Sequence, residues 1–373
     1  MDRRDFLRLL TGLAGLSCLN RVPLHALEKI GSMQEDPPLH EAMFYEQYAE
    51  GIVLCKLCPH SCKLQNGQIG ICRTRTSDGT KMYTLAYGNP VALHLDPMEK
   101  KPLYHFYPGS AILSLGTAGC NFRCLNCQNY SISQVSPKDI SSLSYTPEAI
   151  VETALELGSK FIAYTYTEPT VFYEFMFDTA KLAQKKGIKN VMITNGYIQL
   201  EPLDLLLTVM DAFNIDLKAF NKQTHRKLTG GELEPVLSSL KQVHKSGRWL
   251  EITNLMVTGY TDKLDEFTQM VDWLLENDFA SVPLHISRFF PAYKLANSTP
   301  TDVHIIKQAR QIAIEKGIKF VYTGNISTDP GQNTYCPTCQ TLLIERQYYN
   351  TQVKHLVGGK CEKCGTEIPG VWG

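Results

Sequence analysis

The 373-residue chain is 43% hydrophobic and balances 37 Lys plus Arg against 37 Asp plus Glu, which suits one large α/β core with satellite modules and excludes a disordered or fibrous protein. With no net charge and no long basic run, it offers no electrostatic footprint for nucleic acid. Of its twelve cysteines, eleven fall in three tight groups at residues 55–72, 120–127 and 336–364. Such gaps suit metal thiolates better than disulfides, which usually join residues distant in sequence.

In chain order, Arg3-Arg4 and the short apolar run Leu9 to Leu19 read as a twin-arginine export signal over residues 1–27, with cleavage after Ala26. An amphipathic leader helix is the competing reading, and the run falls short of the ~20 residues a membrane span needs. Cys18 stands alone, without the flanking pattern of a lipoprotein. Residues 28–50, polar and carrying Pro37-Pro38, read as a linker into a Cys-rich module that extends to residue 110. Within it, a hairpin region is expected from Lys81 to Leu95, with turn signals at Ser77-Asp78-Gly79 and Gly88-Asn89-Pro90. From Ala111 the pattern alternates. Strands are predicted near 111–117, 160–167, 190–194, 212–218, 249–257, 282–289 and 319–323. Amphipathic helices are predicted over Pro147–Leu157, Val171–Lys186, Glu234–Lys245, Asp262–Glu276 and Asp302–Lys316. Residues 111–330 are therefore an α/β domain with a mostly parallel sheet, and six or seven strand–helix units fit a partial or complete barrel better than a Rossmann half. An open doubly wound sheet competes, and either fold puts its site at the carboxyl ends of the strands.

The first barrel strand runs into Gly116-Thr117-Ala118-Gly119 and then Cys120, Cys124 and Cys127, a Cys-x3-Cys-x2-Cys loop. Ordinary electron-transfer clusters use four thiolates, so three leave one iron of a cubane open to an exogenous ligand. A zinc site with a distant fourth ligand and a cluster completed by another cysteine are the competitors.

The segment Gly119-Cys-Asn-Phe-Arg-Cys-Leu-Asn-Cys-Gln-Asn129 resembles the cluster loop of radical S-adenosylmethionine (SAM) enzymes related to pyruvate formate-lyase activating enzyme. With the flanking cysteine modules, the chain from about residue 40 to Gly373 is similar to the radical SAM member of the AmmeMemoRadiSam system. The resemblance implies a radical SAM partial (βα)6-type barrel with an N-terminal Cys-rich module and a C-terminal zinc-ribbon-like tail over 331–373. It also implies a [4Fe-4S] cluster on Cys120, Cys124 and Cys127, SAM as cofactor, an external electron donor, and an unidentified small-molecule or protein substrate. SAM chemistry favours the cytoplasm, which conflicts with the export signal and leaves localisation open.

Polar strand ends are the expected SAM contacts. Tyr166-Thr167-Glu168 stands where many relatives have Gly-Gly-Glu, so Glu168 and, less firmly matched, Thr167 are assigned to the SAM amino group; Glu168-Pro169 also reads as a plain helix start. Thr194-Asn195-Gly196 matches a Thr-Asn-Gly near the SAM ribose, although Asn-Gly is also simply a good turn. Asp216 and Lys218 share a face of their strand, where paired charges hold a ligand carboxylate or form a structural ion pair. His285 matches a sixth-strand histidine, with a structural role as the alternative; Arg288 and Asn325 are minor candidates.

The flanking groups hold metal. Cys336-x2-Cys339 and Cys361-x2-Cys364 form a zinc-ribbon signature, a closed four-thiolate site that folds the tail over the barrel, with a rubredoxin-like iron or redox-active pairs as the competing readings. Cys55, Cys58, Cys62 and Cys72 form a second four-thiolate group, with His60 as a substitute ligand, for which zinc and iron–sulfur are both acceptable. The function expected is a radical SAM enzyme. The alternatives are a glycyl-radical-enzyme activase and, from another class, a non-catalytic iron–sulfur and zinc electron-transfer protein.

Overall fold

The computed structural model describes residues 39–326 and 330–373; the twin-arginine segment, Cys18 and the first part of the linker, residues 28–38, lie outside the described residues. An eight-stranded sheet forms the frame. Strand β1 (Ala92–Pro97) runs antiparallel to β2 (Ala111–Gly116), and β3 (Phe161–Tyr164), β4 (Lys189–Thr194), β5 (Ala212–Asp216), β6 (Trp249–Met256), β7 (Leu284–Arg288) and β8 (Val321–Gly324) follow in parallel. Their spatial order is their sequence order, with β1 and β8 as unpaired edges. Right-handed crossovers that always step to the next position carry every helix to the same face, and no reversal of order exists where a doubly wound sheet would switch. The sheet is therefore singly wound and open rather than doubly wound or closed into a complete barrel.

Helices α1 (Pro147–Glu156), α2 (Tyr173–Lys185), α3 (Leu200–Leu207), α4 (Lys222–Thr229), α5 (Glu234–Lys245), α6 (Leu264–Glu276) and α7 (Val303–Lys316) fill the connections. Local chemistry sets their ends. Thr146 accepts from the Ala149 amide ahead of Pro147, Asp302 accepts from His304, and α4 runs from the Asn221 cap to Gly230 at φ 82°. Helices α3 and α4 were not anticipated, because each has only eight residues.

The strands alternate faces. Leu113, Leu115, Ile162, Met192, Phe213, Ile215, Leu250 and Ile252 pack among the helices. Ile112, Phe161, Ala163, Val191 and Ala212 face the other way, against Met98, Leu103 and Phe106. That second cluster plugs the amino end of the sheet. The tail seals it: Val371 bridges Phe106, with its carbonyl accepting from Tyr107 at 2.7 Å and its amide donating to His105 at 2.7 Å.

The N-terminal module is two small antiparallel sheets, Tyr45–Ala49 with Ile52–Cys55 and Lys63–Leu64, and His40–Glu41 with Met82–Thr84 and Arg75–Ser77. Two expectations change here. The linker gives way to strands at His40–Glu41 and Tyr45–Ala49, and Lys81–Leu95 is not one hairpin: Met82–Thr84 turns back onto Arg75–Ser77 while Ala92–Pro97 joins the main sheet. A buried ion pair, Arg75 to Glu174 at 2.6 Å, ties the module to α2.

Candidate metal and cofactor site

The cysteine loop leaves β2 at its carboxyl end and is fixed by glycines. A Cβ at Gly116 would lie 2.5 Å from the Thr165 carbonyl, and one at Gly119 (φ 97°) would lie 2.4 Å from Thr74 Cγ2 and 2.7 Å from the Cys72 carbonyl. Beyond Cys120, Phe122 is buried against Tyr197 and His225, and its ring occupies the space a Cβ on Gly231 would fill. The amides of Arg123 and Leu125 donate to the Thr229 and Leu228 carbonyls at 2.7 and 2.9 Å, so the unanticipated helix α4 straps the loop down. The sulfurs have donors. The Phe122 amide approaches Cys120 Sγ at 3.3 Å, Asn195 Nδ2 at 4.0 Å, and Ser133 Oγ lies 3.2 Å from Cys127 Sγ.

Burial pushes the Cys120 thiol well above its usual range, helped by the neighbouring Glu168 and Cys124. Burial likewise pushes Cys124 up to about 12 against the opposing charge of Lys218. A metal cation deprotonates the thiols that coordinate it, and hydrogen-bond donors aimed at the sulfurs are what such ligands need. The loop fits a cluster held by three cysteines.

The structure brings most of the expected strand-end residues to this loop. Glu168 is 1% exposed and caps the turn that follows it, as a helix start requires, but it does more than cap. Its Oε1 accepts from the Thr170 amide (3.0 Å), Thr170 Oγ1 (2.6 Å) and Thr194 Oγ1 (2.7 Å), and its Oε2 from the Asn195 amide (2.8 Å). Burial raises its pKa against those four donors. Oε2 is the oxygen with acceptor capacity to spare. Asn195 binds Asn121 Oδ1 at 2.8 Å through Nδ2 and accepts from the Tyr197 amide at 2.8 Å. Asp216 and Lys218 form a partly exposed ion pair at 2.8 Å. Burial disfavours the Lys218 charge, but Asp216 together with Cys124 and Cys120 hold its pKa above the usual lysine range, which places the ammonium beside the loop.

Two assignments are redirected. Thr167 spends its hydroxyl on the Thr117 carbonyl at 2.9 Å, tying one strand end to the next. His285, second residue of β7, does not reach the loop end of the sheet: its Nε2 meets Glu251 Oε2 at 2.6 Å. That carboxylate also accepts from the Tyr104 and His105 amides and from Trp249 Nε1, so His285 belongs to the plug at the amino end, in its structural role. Arg288 and Asn325 are likewise engaged in the fold, Arg288 Nε donating to the Thr301 carbonyl at 2.7 Å and Asn325 Nδ2 to the Arg288 carbonyl at 3.0 Å. Residues the sequence did not single out include Asn121, Thr170, Ser133 and Glu251. Asn121 carried a signal, lying between Cys120 and Phe122; the others become visible only through folding.

The four C-terminal thiols converge. Cys336 Sγ lies 3.5 Å from Cys364 Sγ and Cys339 Sγ 3.6 Å from Cys361 Sγ, with all four sulfurs within 4.8 Å of one another. Hydrogen bonding by Thr341 lowers Cys339 to about 6, whereas burial raises Cys361 to about 11. Cys55, Cys58, Cys62 and Cys72 instead line one shared cavity. His60 lines the same cavity, and its Nε2 lies 2.8 Å from the Asn121 carbonyl, a bond that leaves Nδ1 as its ligating nitrogen.

Among known proteins, the model of the radical SAM superfamily matches residues 114–274. An uncharacterised protein of Methanocaldococcus jannaschii is 45% identical over 332 residues, covering 88% of this chain and 99% of its own. The pyruvate formate-lyase 1-activating enzyme of Escherichia coli strain K12 is 26% identical over 161 residues, covering 40% of this chain and 65% of its own. A solved domain of a pyruvate-formate lyase-activating enzyme from Bacteroides vulgatus aligns with a TM-score of 0.37 at 19% identity, over 44% of this chain and 98% of that domain.

Proposed function

This chain belongs to the radical SAM superfamily, and from that premise we propose that it is an enzyme holding a [4Fe-4S] cluster on Cys120, Cys124 and Cys127 and SAM beside it. Bound together and reduced by an external electron donor, the two supply a 5′-deoxyadenosyl radical for hydrogen abstraction from a small-molecule or protein substrate. The carrying observation is the convergence at one end of the sheet of three thiols, the Glu168 carboxylate, Asn195 and the Asp216–Lys218 pair. Glu168 Oε2 is suited to an ammonium and Lys218 to a carboxylate, the two charged groups of an amino-acid end. Asn195 positions Asn121 and with it the backbone next to Cys120. Thr167, through Thr117, holds the strand ends in register around the site.

The open sheet is the partial barrel of this superfamily in our reading, and the two flanking cysteine modules favour the AmmeMemoRadiSam branch over a glycyl-radical-enzyme activase. Zinc suits the C-terminal thiols, because ~2.3 Å bonds in a tetrahedron place sulfurs about 3.8 Å apart. The cytoplasm suits the chemistry, and among the described residues no helix is long and apolar enough to cross a membrane. The test is anaerobic reconstitution, reduction with dithionite and measurement of 5′-deoxyadenosine released from SAM. Cys124→Ala should abolish release while one zinc per chain stays on the tail. Wild-type protein that binds its clusters without cleaving SAM would favour the electron-transfer alternative and overturn this reading.

A further inference from the structure

The chain contains two groups of four cysteines, and the fold treats them differently. The C-terminal sulfurs sit at single-ion spacing, all within 4.8 Å of one another. No three of Cys55, Cys58, Cys62 and Cys72 come that close, although all four belong to the described residues. They stand around one shared cavity, on strand Ile52–Cys55, the loop that follows it and the approach to Arg75–Ser77. That spacing is wider than the sulfur spacing of a single tetrahedral ion. A polynuclear cluster spreads its ligands and fills the space between them.

The cavity wall is furnished for sulfur. The backbone at Leu57, His60 and Ile71 favours the thiolates of Cys55, Cys58 and Cys62, and Thr74 Oγ1 lies 3.2 Å from Cys72 Sγ. Donors to the sulfurs are what stabilise and tune iron–sulfur sites. Arg75 is 1% exposed, lines the cavity, and leaves its Nε without a hydrogen-bond partner although its other nitrogens bind Met43 and Glu174. A buried guanidinium donor left unmatched is costly unless an acceptor fills the space it faces.

The wall is also shared with the proposed radical site. Asn121, next to Cys120, lines the cavity, and Gly119 packs so tightly on Cys72 that a Cβ would fall 2.7 Å from its carbonyl oxygen. We propose that Cys55, Cys58, Cys62 and Cys72 ligate a second [4Fe-4S] cluster, not zinc, and that this cluster is a one-electron carrier for the Cys120 site. With every iron held by a thiolate it has no open position for substrate. One electron arrives from a low-potential donor, a reduced iron–sulfur or flavin protein in the cell or dithionite in vitro, and one leaves for the neighbouring site. No bond or proton changes hands. The cluster assignment stands independently of the proposed function; only the destination of the electron rests on it.

The test is metal content without the radical site. A Cys120→Ala, Cys124→Ala, Cys127→Ala triple variant, reconstituted anaerobically with iron and sulfide, should keep about four irons and about four sulfides per chain, half the wild-type complement, with one zinc. A Cys58→Ala, Cys72→Ala variant should lose the complementary half, which keeps the test decisive if the triple variant does not fold. Triple variant carrying no acid-labile sulfide and about two zincs would overturn the assignment. Reduced wild type should show two mutually split paramagnetic resonance signals, each becoming unsplit when the other site is removed. Two unsplit, additive signals in wild type would overturn the carrier role. Absence of SAM cleavage with these counts intact would refute the proposed function and leave the cluster standing.

Discussion

Gly119 is where the first cysteine loop meets the N-terminal module, and Gly119→Ala measures that contact. The new Cβ would stand 2.4 Å from Thr74 Cγ2 and 2.7 Å from the Cys72 carbonyl oxygen, on a residue at φ 97°. Neither neighbour yields easily. Thr74 is fully buried, with its hydroxyl donating to the Val171 carbonyl at 2.9 Å and lying 3.2 Å from Cys72 Sγ, and the carbonyl is main chain. The backbone term for an L side chain in the left-handed region is about 1–2 kcal/mol, and overpacking adds about 1–3 kcal/mol. Gly158→Ala separates the two terms, because Gly158 has φ 66° and nothing within 4 Å of its would-be Cβ. Anaerobic urea unfolding followed by tryptophan fluorescence should therefore place Gly119→Ala about 2–5 kcal/mol below the parent and Gly158→Ala only about 1–2 kcal/mol below, at unchanged slope. If the two variants fall within about 0.5 kcal/mol of each other, the close approach of loop to module is refuted.

Glu251→Gln puts an amide where the His285 and Trp249 rings and the Tyr104 and His105 amides converge, so at least one buried donor loses its acceptor, at about 1–3 kcal/mol by thermal or urea unfolding. Burial alone would raise the Glu251 pKa, but His285, His105 and the amide donors outweigh it and hold the group below its usual 4.5. The stability it contributes is thus full above pH 4.5 and is lost as pH falls through the lower folded value, so wild type and Glu251→Gln should converge in acid. A gap that widens there would contradict the arrangement. Arg75→Met should cost about 3–5 kcal/mol by leaving the Glu174 carboxylate buried and uncompensated. Adding Glu174→Leu should recover part of that loss; strictly additive costs in the double-mutant cycle would show that the pair is not coupled.

Much of this was legible in the chain. Strand–helix alternation from Ala111 located all seven parallel strands, and α5 was bounded correctly at Glu234 and Lys245, because period and caps are local properties. Cysteine spacing separated three candidate metal-binding groups for the same reason. The short helices α3 and α4 fell below what periodicity resolves, yet α4 carries the carbonyls that anchor Arg123 and Leu125. His285 was read toward the cofactor from a motif match; its partner Glu251 is 34 residues earlier, on the adjacent strand. Glu168 was assignable from sequence, whereas the four donors that set its environment come from the following turn and from Thr194 and Asn195 on the next strand.

The sequence by itself therefore determined which residues are chemically able to hold metal and where the parallel strands and the longer helices lie, since both follow from residue type and spacing over a few turns. Tertiary structure alone decided that the sheet stays open and singly wound, that the tail plugs its amino end, and that two four-cysteine groups alike on paper differ in geometry. Those outcomes depend on contacts between residues far apart in the chain: Val371 with His105 and Tyr107, Gly119 with Cys72, and four thiols drawn together in one place and held apart in another.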